Sequence, residues 1–216
     1  MKRAVAILLV LPIFLAAVGV WAGNAKKPAV NPMLVKKPPQ TAEIAALVVP
    51  KPKQACPNWA WAAAVQLMLE QQQTTGFDQE YWVMKSAGGE LCIEQPVDLE
   101  RLKRWIDGEY VLNDGSHAEF DATITPGAPQ DVSYFVNLLQ KGRTAMVLWQ
   151  GRPCVLKAIE YDEYIYPNGQ RTFEARKLTI IDPLAKSPIV FDKTKDGIAD
   201  LGGVFEVKVG PVDRFK

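Results

Sequence analysis

The chain has 216 residues, nearly half of them hydrophobic, and its 25 basic side chains almost balance its 24 acidic ones. A net charge this small removes the electrostatic argument for nucleic-acid binding. The length suits one domain with a single sizeable core.

The first 22 residues have the organisation of a secretory signal peptide. Lys2 and Arg3 form a basic start, residues 4–22 carry no charge, and small residues at 20–25 offer two cleavage points. We therefore predict a secreted or periplasmic protein whose mature chain begins near Gly23 or Lys26. The alternative is an uncleaved membrane anchor, because the apolar run is about long enough to span a bilayer.

Residues 23–53 are rich in lysine and proline, with Lys-Lys-Pro at 26–28 and Lys-Lys-Pro-Pro at 36–39. Such a stretch cannot bury a core, so we predict an extended linker. Residues 41–49 contain several aliphatic side chains and could lie as a short helix or strand on the surface of the domain. The folded domain then covers residues 54–216.

Helical signals come first in this domain. Residues 59–72, after a predicted N-cap at Asn58, are apolar on nearly every side, which places that helix in the middle of a core. A second helix is predicted between Pro96 and Gly108, with Leu99, Leu102 and Ile106 on its apolar face. A third is predicted from about residue 130 to Gly142.

Strand signals follow at residues 144–150, 154–161, 172–181 and 204–209, with a turn at 167–169. The order of elements predicts an α+β fold, in which helices pack against a C-terminal antiparallel sheet.

Three cysteines, Cys56, Cys92 and Cys154, predict one disulfide and one odd thiol in an exported chain. Together with His117 they could supply four zinc ligands. Neither Cys-x-x-Cys nor His-x3-His spacing is present, so we expect no metal and no cofactor.

Residues 54–63 read Gln-Ala-Cys-Pro-Asn-Trp-Ala-Trp-Ala-Ala. This segment resembles the nucleophile region of papain-like cysteine peptidases, especially the bacterial branch related to bacteriocin-processing peptidases and secreted effector proteases. In that family a glutamine and a short spacer precede Cys-Trp-Ala-Ala. The resemblance implies a papain-like fold, with Gln54 as the oxyanion-hole glutamine, Trp61 after the nucleophile and Ala60 in place of the catalytic cysteine. Alanine keeps the helix and removes the thiol that the helix dipole would activate.

Residues 151–162 and 179–183 extend this resemblance. The family strand begins Gly-His-Ala-Val and ends Gly-Tyr-Asp, and counting back from Tyr161 puts Cys154, or alternatively Pro153, in the position of the catalytic histidine. Asp182 aligns with the Asp or Asn that orients this histidine. With the base absent, Asp182 is better explained as part of an Asp-Pro pair that ends a strand and starts a turn.

The resemblance also implies a Cys56–Cys92 disulfide with Cys154 free, because papain-like folds commonly clamp the loop before the nucleophile helix. Mass spectrometry of non-reduced peptides tests this pairing.

We therefore expect a catalytically inactive papain-like protein that binds a peptide or protein partner in the former substrate cleft, beside Gln54, Trp59 and Trp61. The alternative from another class is a hydrolase with Cys154 as a relocated nucleophile, which lacks both a base and a helix dipole. A third interpretation is an accessory protein held at the membrane by an uncleaved N-terminus. His117, the single histidine, lies in a loop-like stretch and is interpreted as a solvated loop residue.

Overall fold

Helices and one antiparallel sheet make up the part of the chain that the computed structural model describes, namely residues 34–49, 59–87, 98–129, 131–185, 187–193 and 201–212. The predicted α+β class is confirmed. The described helices are α1 (Ala60–Glu70), α2 (Gln79–Ala87), α3 (Leu99–Ile106) and α4 (Ser133–Gln140). The described strands are β1 (Val35–Lys36), β2 (Gln40–Glu43), β3 (Gly108–Val111), β4 (His117–Pro126), β5 (Met146–Trp149), β6 (Arg152–Ile165), β7 (Arg171–Ile181), β8 (Ile189–Asp192) and β9 (Leu201–Pro211).

The sheet is organised around β6. Its strand order is β3-β4-β9-β5-β6-β7-β8, and β1 and β2 also pair with β6. β7 occupies one edge of β6. The other edge is shared, first by β5 and further along by β2 and β1, all antiparallel. β6 is therefore the strand on which the N-terminal, central and C-terminal parts of the domain meet.

Helix α1 depends on burial, because it has no side-chain cap at Trp59 and no acidic residue in its first turn. Nine of its eleven residues are buried, which agrees with the predicted central helix. Helix α3 is built differently. The carboxylate of Asp98 accepts hydrogen bonds from the backbone N–H groups of Glu100 and Arg101, and the predicted apolar face of Leu99, Leu102 and Ile106 is buried.

Two tight turns set the registers of β6. Gln150 and Gly151 both have positive φ, 50° and 75°, as the two-residue turn between β5 and β6 requires. Between β6 and β7 the chain turns at residues 166–170, where the Gly169 N–H donates to the Tyr166 carbonyl. This second turn was predicted, whereas the first was not: Gln150 was assigned to the predicted strand 144–150, and Gly151 lay just after it.

Several elements were not predicted. Helix α2 and strands β3, β4 and β8 are absent from the sequence-based assignment, and β3 and β4 lie between the second and third predicted helices. The predicted linker differs as well. Its described part, residues 34–49, belongs to the same unit as the sheet and contributes β1 and β2.

The core consists of two clusters, one on each face of the sheet. Val155 and its cross-strand partner Met146 lie in a cluster with α1, α2 and α3. Cys154 and its partner Val147 lie in a second cluster with α4. Because successive side chains of a strand point to opposite faces, the sheet separates α1 from α4.

Candidate functional site

The start of α1 holds Ala60, which the papain-like resemblance places at the catalytic cysteine. Ala60 is the first residue of the helix and is 2% exposed. Its methyl group can neither attack a carbonyl nor exchange a proton. Gln54, Asn58, Cys56 and Cys92, and with them the predicted disulfide, lie outside the described residues.

Trp59 and Trp61 were predicted to line the former cleft. The structure places both in the core cluster of α1, at 2% and 9% exposure. The Trp61 ring packs 5.8 Å from that of Trp105, measured between centroids. Their aromatic surface is used by the core of the domain and is not open to a ligand.

Cys154 is a free thiol with no exposed surface. Burial chiefly, and the nearby Asp182 carboxylate as well, raise the pKa of Cys154 to about 12, although Arg152 opposes both effects. A thiol of this pKa is almost entirely protonated at neutral pH. It is therefore a poor nucleophile in this fold.

The face on which Cys154 lies differs from the expectation that it opposes Ala60 across a cleft. Cys154 points into the cluster of α4, whereas α1 packs against the face that carries Val155. Alternation along β6 puts Pro153 on the same face as Val155. For a base position facing α1, the structure therefore favours Pro153, the alternative alignment, over Cys154.

Asp182 follows the end of β7 and is 4% exposed at its side chain. Its Oδ2 lies 2.9 Å from Nη1 of Arg152, and its Oδ1 accepts the backbone N–H of Leu184 at 2.9 Å. The interpretation of Asp182 as the residue that ends a strand and starts a turn is confirmed. Its carboxylate is bound by an arginine, where the papain-like arrangement has a histidine.

Arg152 joins this carboxylate to an aromatic surface. The guanidinium carbon lies 4.8 Å from the ring centroid of Trp149, and that ring meets Phe191 edge-on at 5.4 Å. We call these four residues the Arg152 cluster: Trp149, Arg152, Asp182 and Phe191. The side chain of Arg152 is 51% exposed, so donors that do not reach Asp182 face solvent. The exposed side chain of Leu184 lies two positions after Asp182.

Arg152 lies within the segment 151–162 that extends the papain-like resemblance, and the resemblance implies no role for it. The available signal was its position two residues before Cys154, on the same face of a strand, with a carboxylate at the end of the next strand. An arginine at such a place is a candidate partner for the carboxylate.

His117 is far from these residues. It is the first residue of β4, 43% exposed at its side chain, and its Nδ1 lies 2.6 Å from Oε1 of Glu109. β4 and β6 are separated by β9 and β5. At the usual spacing between strands this places β4 about 14 Å from β6. The single histidine of the chain therefore cannot serve Cys154 as a base.

Within the described ranges, no group of three or more His, Cys, Asp and Glu side chains is arranged to hold a metal ion. No helix in the described part of the chain is both long and apolar enough to cross a bilayer. No family model matches this chain, and no curated protein matches it.

Proposed function

We propose that this protein is an exported, papain-like domain without peptidase activity, and that it binds a peptide or protein partner at the Arg152 cluster. The observation that carries the proposal is the Arg152–Asp182 ion pair. The carboxylate that the papain-like alignment pairs with an imidazole, Asp182, is bound instead by a half-exposed guanidinium.

The surroundings of this pair argue against hydrolysis. A cysteine peptidase needs a thiolate and a base within hydrogen-bond reach of each other. Here the thiol of Cys154 is buried and protonated, Ala60 has no reactive atom, and the single histidine lies three strands away. The same facts disfavour the alternative in which Cys154 acts as a relocated nucleophile.

The exposed features of the cluster suit a polypeptide ligand. An arginine stacked on a tryptophan offers a planar face together with hydrogen-bond donors for backbone carbonyls or a carboxylate. Leu184, whose backbone N–H donates to Asp182, is 51% exposed and supplies an apolar contact beside it. β8 ends the strand order, so among the described strands its outer edge has no partner and could pair with an extended chain.

A selection experiment tests the proposal. The immobilised protein should enrich a defined set of sequences from a displayed library of random peptides. The Arg152→Ala variant should not enrich that set. Arg104→Ala, on the exposed side of α3, is the matched control and should retain it. If no sequences are enriched, or if the Arg152→Ala variant enriches the same set, the Arg152 cluster is not a binding site.

Hydrolysis is measured separately, with fluorogenic peptide pools. The wild type should release no more fluorophore than its Cys154→Ala variant. Turnover that Cys154→Ala abolishes would overturn the non-catalytic part of the proposal and support the relocated nucleophile.

A further inference from the structure

The far end of β6 holds a segment from the beginning of the domain. Residues 34–43, which we call the strap, contain β1 and β2 and pair with β6 from Ala158 to Ile165. The backbone N–H of Lys37 donates to the carbonyl of Glu163 at 2.9 Å. The strap is therefore an added edge strand, held in the way that sheet-edge binding proteins hold an extended peptide.

Charge complementarity sets the position of the strap. Nζ of Lys36 lies 2.7 Å from Oδ2 of Asp162, and Nζ of Lys37 lies 2.9 Å from Oε2 of Glu163. The two carboxylates are nearly covered, with side chains 7% and 4% exposed, whereas the lysines are 49% and 35% exposed. β6 thus presents two covered carboxylates, and the strap supplies the more exposed cations.

Contacts beyond the two lysines make the fit specific. The Gln40 amide donates to Oε2 of Glu163 and accepts from the hydroxyl of Tyr161, each at 3.2 Å. Ala42 is 4% exposed and packs into the cluster of α4. Pro38 and Pro39 lie between β1 and β2, where the chain needs no ladder N–H. The strap therefore fits this edge through a lysine pair, two prolines, a glutamine and a small apolar residue, in that order along the chain.

The two carboxylates, Asp162 and Glu163, also have counter-charges outside the strap. Nη1 of Arg176 lies 3.4 Å from Oδ1 of Asp162, and Nη1 of Arg171 lies 3.3 Å from Oε1 of Glu163. Both arginines come from β7. Removing the strap therefore leaves each carboxylate with a cation, so the β6–β7 hairpin can persist with its edge open.

We propose that this edge of β6, with Asp162 and Glu163, is a docking site for the strap of a second copy of the same chain, and that the docked strap of each monomer is the intramolecular competitor. The strap of an identical chain is the occupant, because its side chains already fit this site: Lys36 and Lys37 pair with the two carboxylates, and Gln40 bonds to Glu163 and Tyr161. Exchange of an identical segment between protomers is a low-cost route to a dimer. The strap of the same chain has a high effective concentration at this edge. The strap of a second molecule can compete with it only as the protein concentration rises, so the exchanged form should grow with protein concentration.

This surface lies at the opposite end of β6 from the Arg152 cluster, and neither proposal depends on the other. A failed peptide selection leaves strap exchange untouched, and a chain that exchanges no strap can still bind a partner at Arg152.

Cross-linking in mixtures tests the exchange. Thr41 and Glu160 are direct cross-strand partners. The hydrogen bond from the Ile44 N–H to the Lys157 carbonyl, three positions along, makes them a non-hydrogen-bonded pair, whose closer approach suits a disulfide. A Thr41→Cys chain mixed with a Glu160→Cys chain should give a 41–160 disulfide between two molecules, identified by mass spectrometry of the linked peptides.

The yield of that linked dimer should rise with protein concentration and fall when Lys36→Glu and Lys37→Glu are added to the Thr41→Cys chain. A single chain carrying both Thr41→Cys and Glu160→Cys is the control and should close within one molecule. If the control closes while the mixture gives no 41–160 link, the exchange proposal is wrong. A yield that the two glutamate substitutions do not change would equally overturn it, because the two carboxylates would then not direct the docking.

Discussion

An ion pair between a covered carboxylate and a more exposed cation lies at each end of β6, and the two pairs have different structural roles. At the Arg152 cluster a covered carboxylate, Asp182, binds a half-exposed arginine thirty residues away in the chain. At the strap a covered carboxylate, Glu163, binds a half-exposed lysine 126 residues away. The first pair ties neighbouring strands of one sheet corner together. The second holds an added segment at the edge of the sheet, so its loss should release a piece of chain rather than weaken the whole domain.

Arg152→Ala should give the largest effect. It leaves the Asp182 carboxylate covered and without its cation. For a fully buried charge, loss of the partner costs several kcal/mol. Because the guanidinium is itself half exposed, we expect a smaller loss of about 2 kcal/mol in the free energy of unfolding. Urea denaturation measures it.

Two control variants belong to that measurement. Arg152→Lys should recover part of the loss, since it restores a cation, and Arg104→Ala on α3 should change the free energy by no more than about 0.5 kcal/mol. An Arg152→Ala protein as stable as the wild type would mean that Asp182 does not need its partner.

Lys36→Glu combined with Lys37→Glu should act locally. Like charges would then oppose Asp162 and Glu163, and the strap should detach from its edge. We expect amide hydrogen exchange in β2 to speed up by about tenfold or more, while α1 and β9 keep their protection. Lys26→Glu with Lys27→Glu, the same change in the other Lys-Lys-Pro, is the matched control. Equal loss of protection throughout the sheet would contradict a strap that comes away independently.

Acid should loosen the strap. Hydrogen bonds from Lys36 lower the pKa of Asp162, and those from Lys37 lower the pKa of Glu163, below their ordinary values. A carboxyl group with a depressed folded-state pKa contributes stability that is present above its unfolded value, about 4, and is lost as the pH falls through the lower folded-state value.

Strap protection should therefore be constant from neutral pH down to about 4 and then fall in stronger acid. Hydrogen exchange of β2 across this range measures it. In an Asp162→Asn, Glu163→Gln variant the strap should show a flatter dependence on pH. A wild-type strap that gains protection as the acid becomes stronger would contradict the sign of this linkage.

The smallest expected effect is none at all. Ala60→Cys together with Cys154→His should alkylate with iodoacetamide at neutral pH no faster at residue 60 than Ala60→Cys alone, because residue 154 points into the cluster of α4. Peptide mapping distinguishes residue 60 from the other cysteines. Acceleration in the double variant would show that the two side chains share a cleft, and would restore the alignment of Cys154 with the catalytic histidine.

Local patterns predicted the parts of the fold whose signals are local. The apolar face of α3, the all-round apolar surface of α1 and the turn after Tyr166 each follow from residues close in sequence. β4 was missed although its buried positions alternate, because two of them, Ala118 and Ala122, are too small to mark a strand. β8 is a four-residue edge strand and offers too short a pattern to recognise.

The sequence alone therefore determined an α+β domain with a buried helix at its start, a chain with one histidine, and an alanine where the papain-like motif has its cysteine. Tertiary structure decided which face of the sheet each residue of β6 occupies. β6 is covered on both faces and its sequence has no strict alternation, so only the packing of α1 and α4 separates Val155 from Cys154. Tertiary structure also made strands of the lysine- and proline-rich strap. Such a segment has no core of its own to bury, and it orders because β6 offers it an open edge and two carboxylates and the cluster of α4 takes up Ala42.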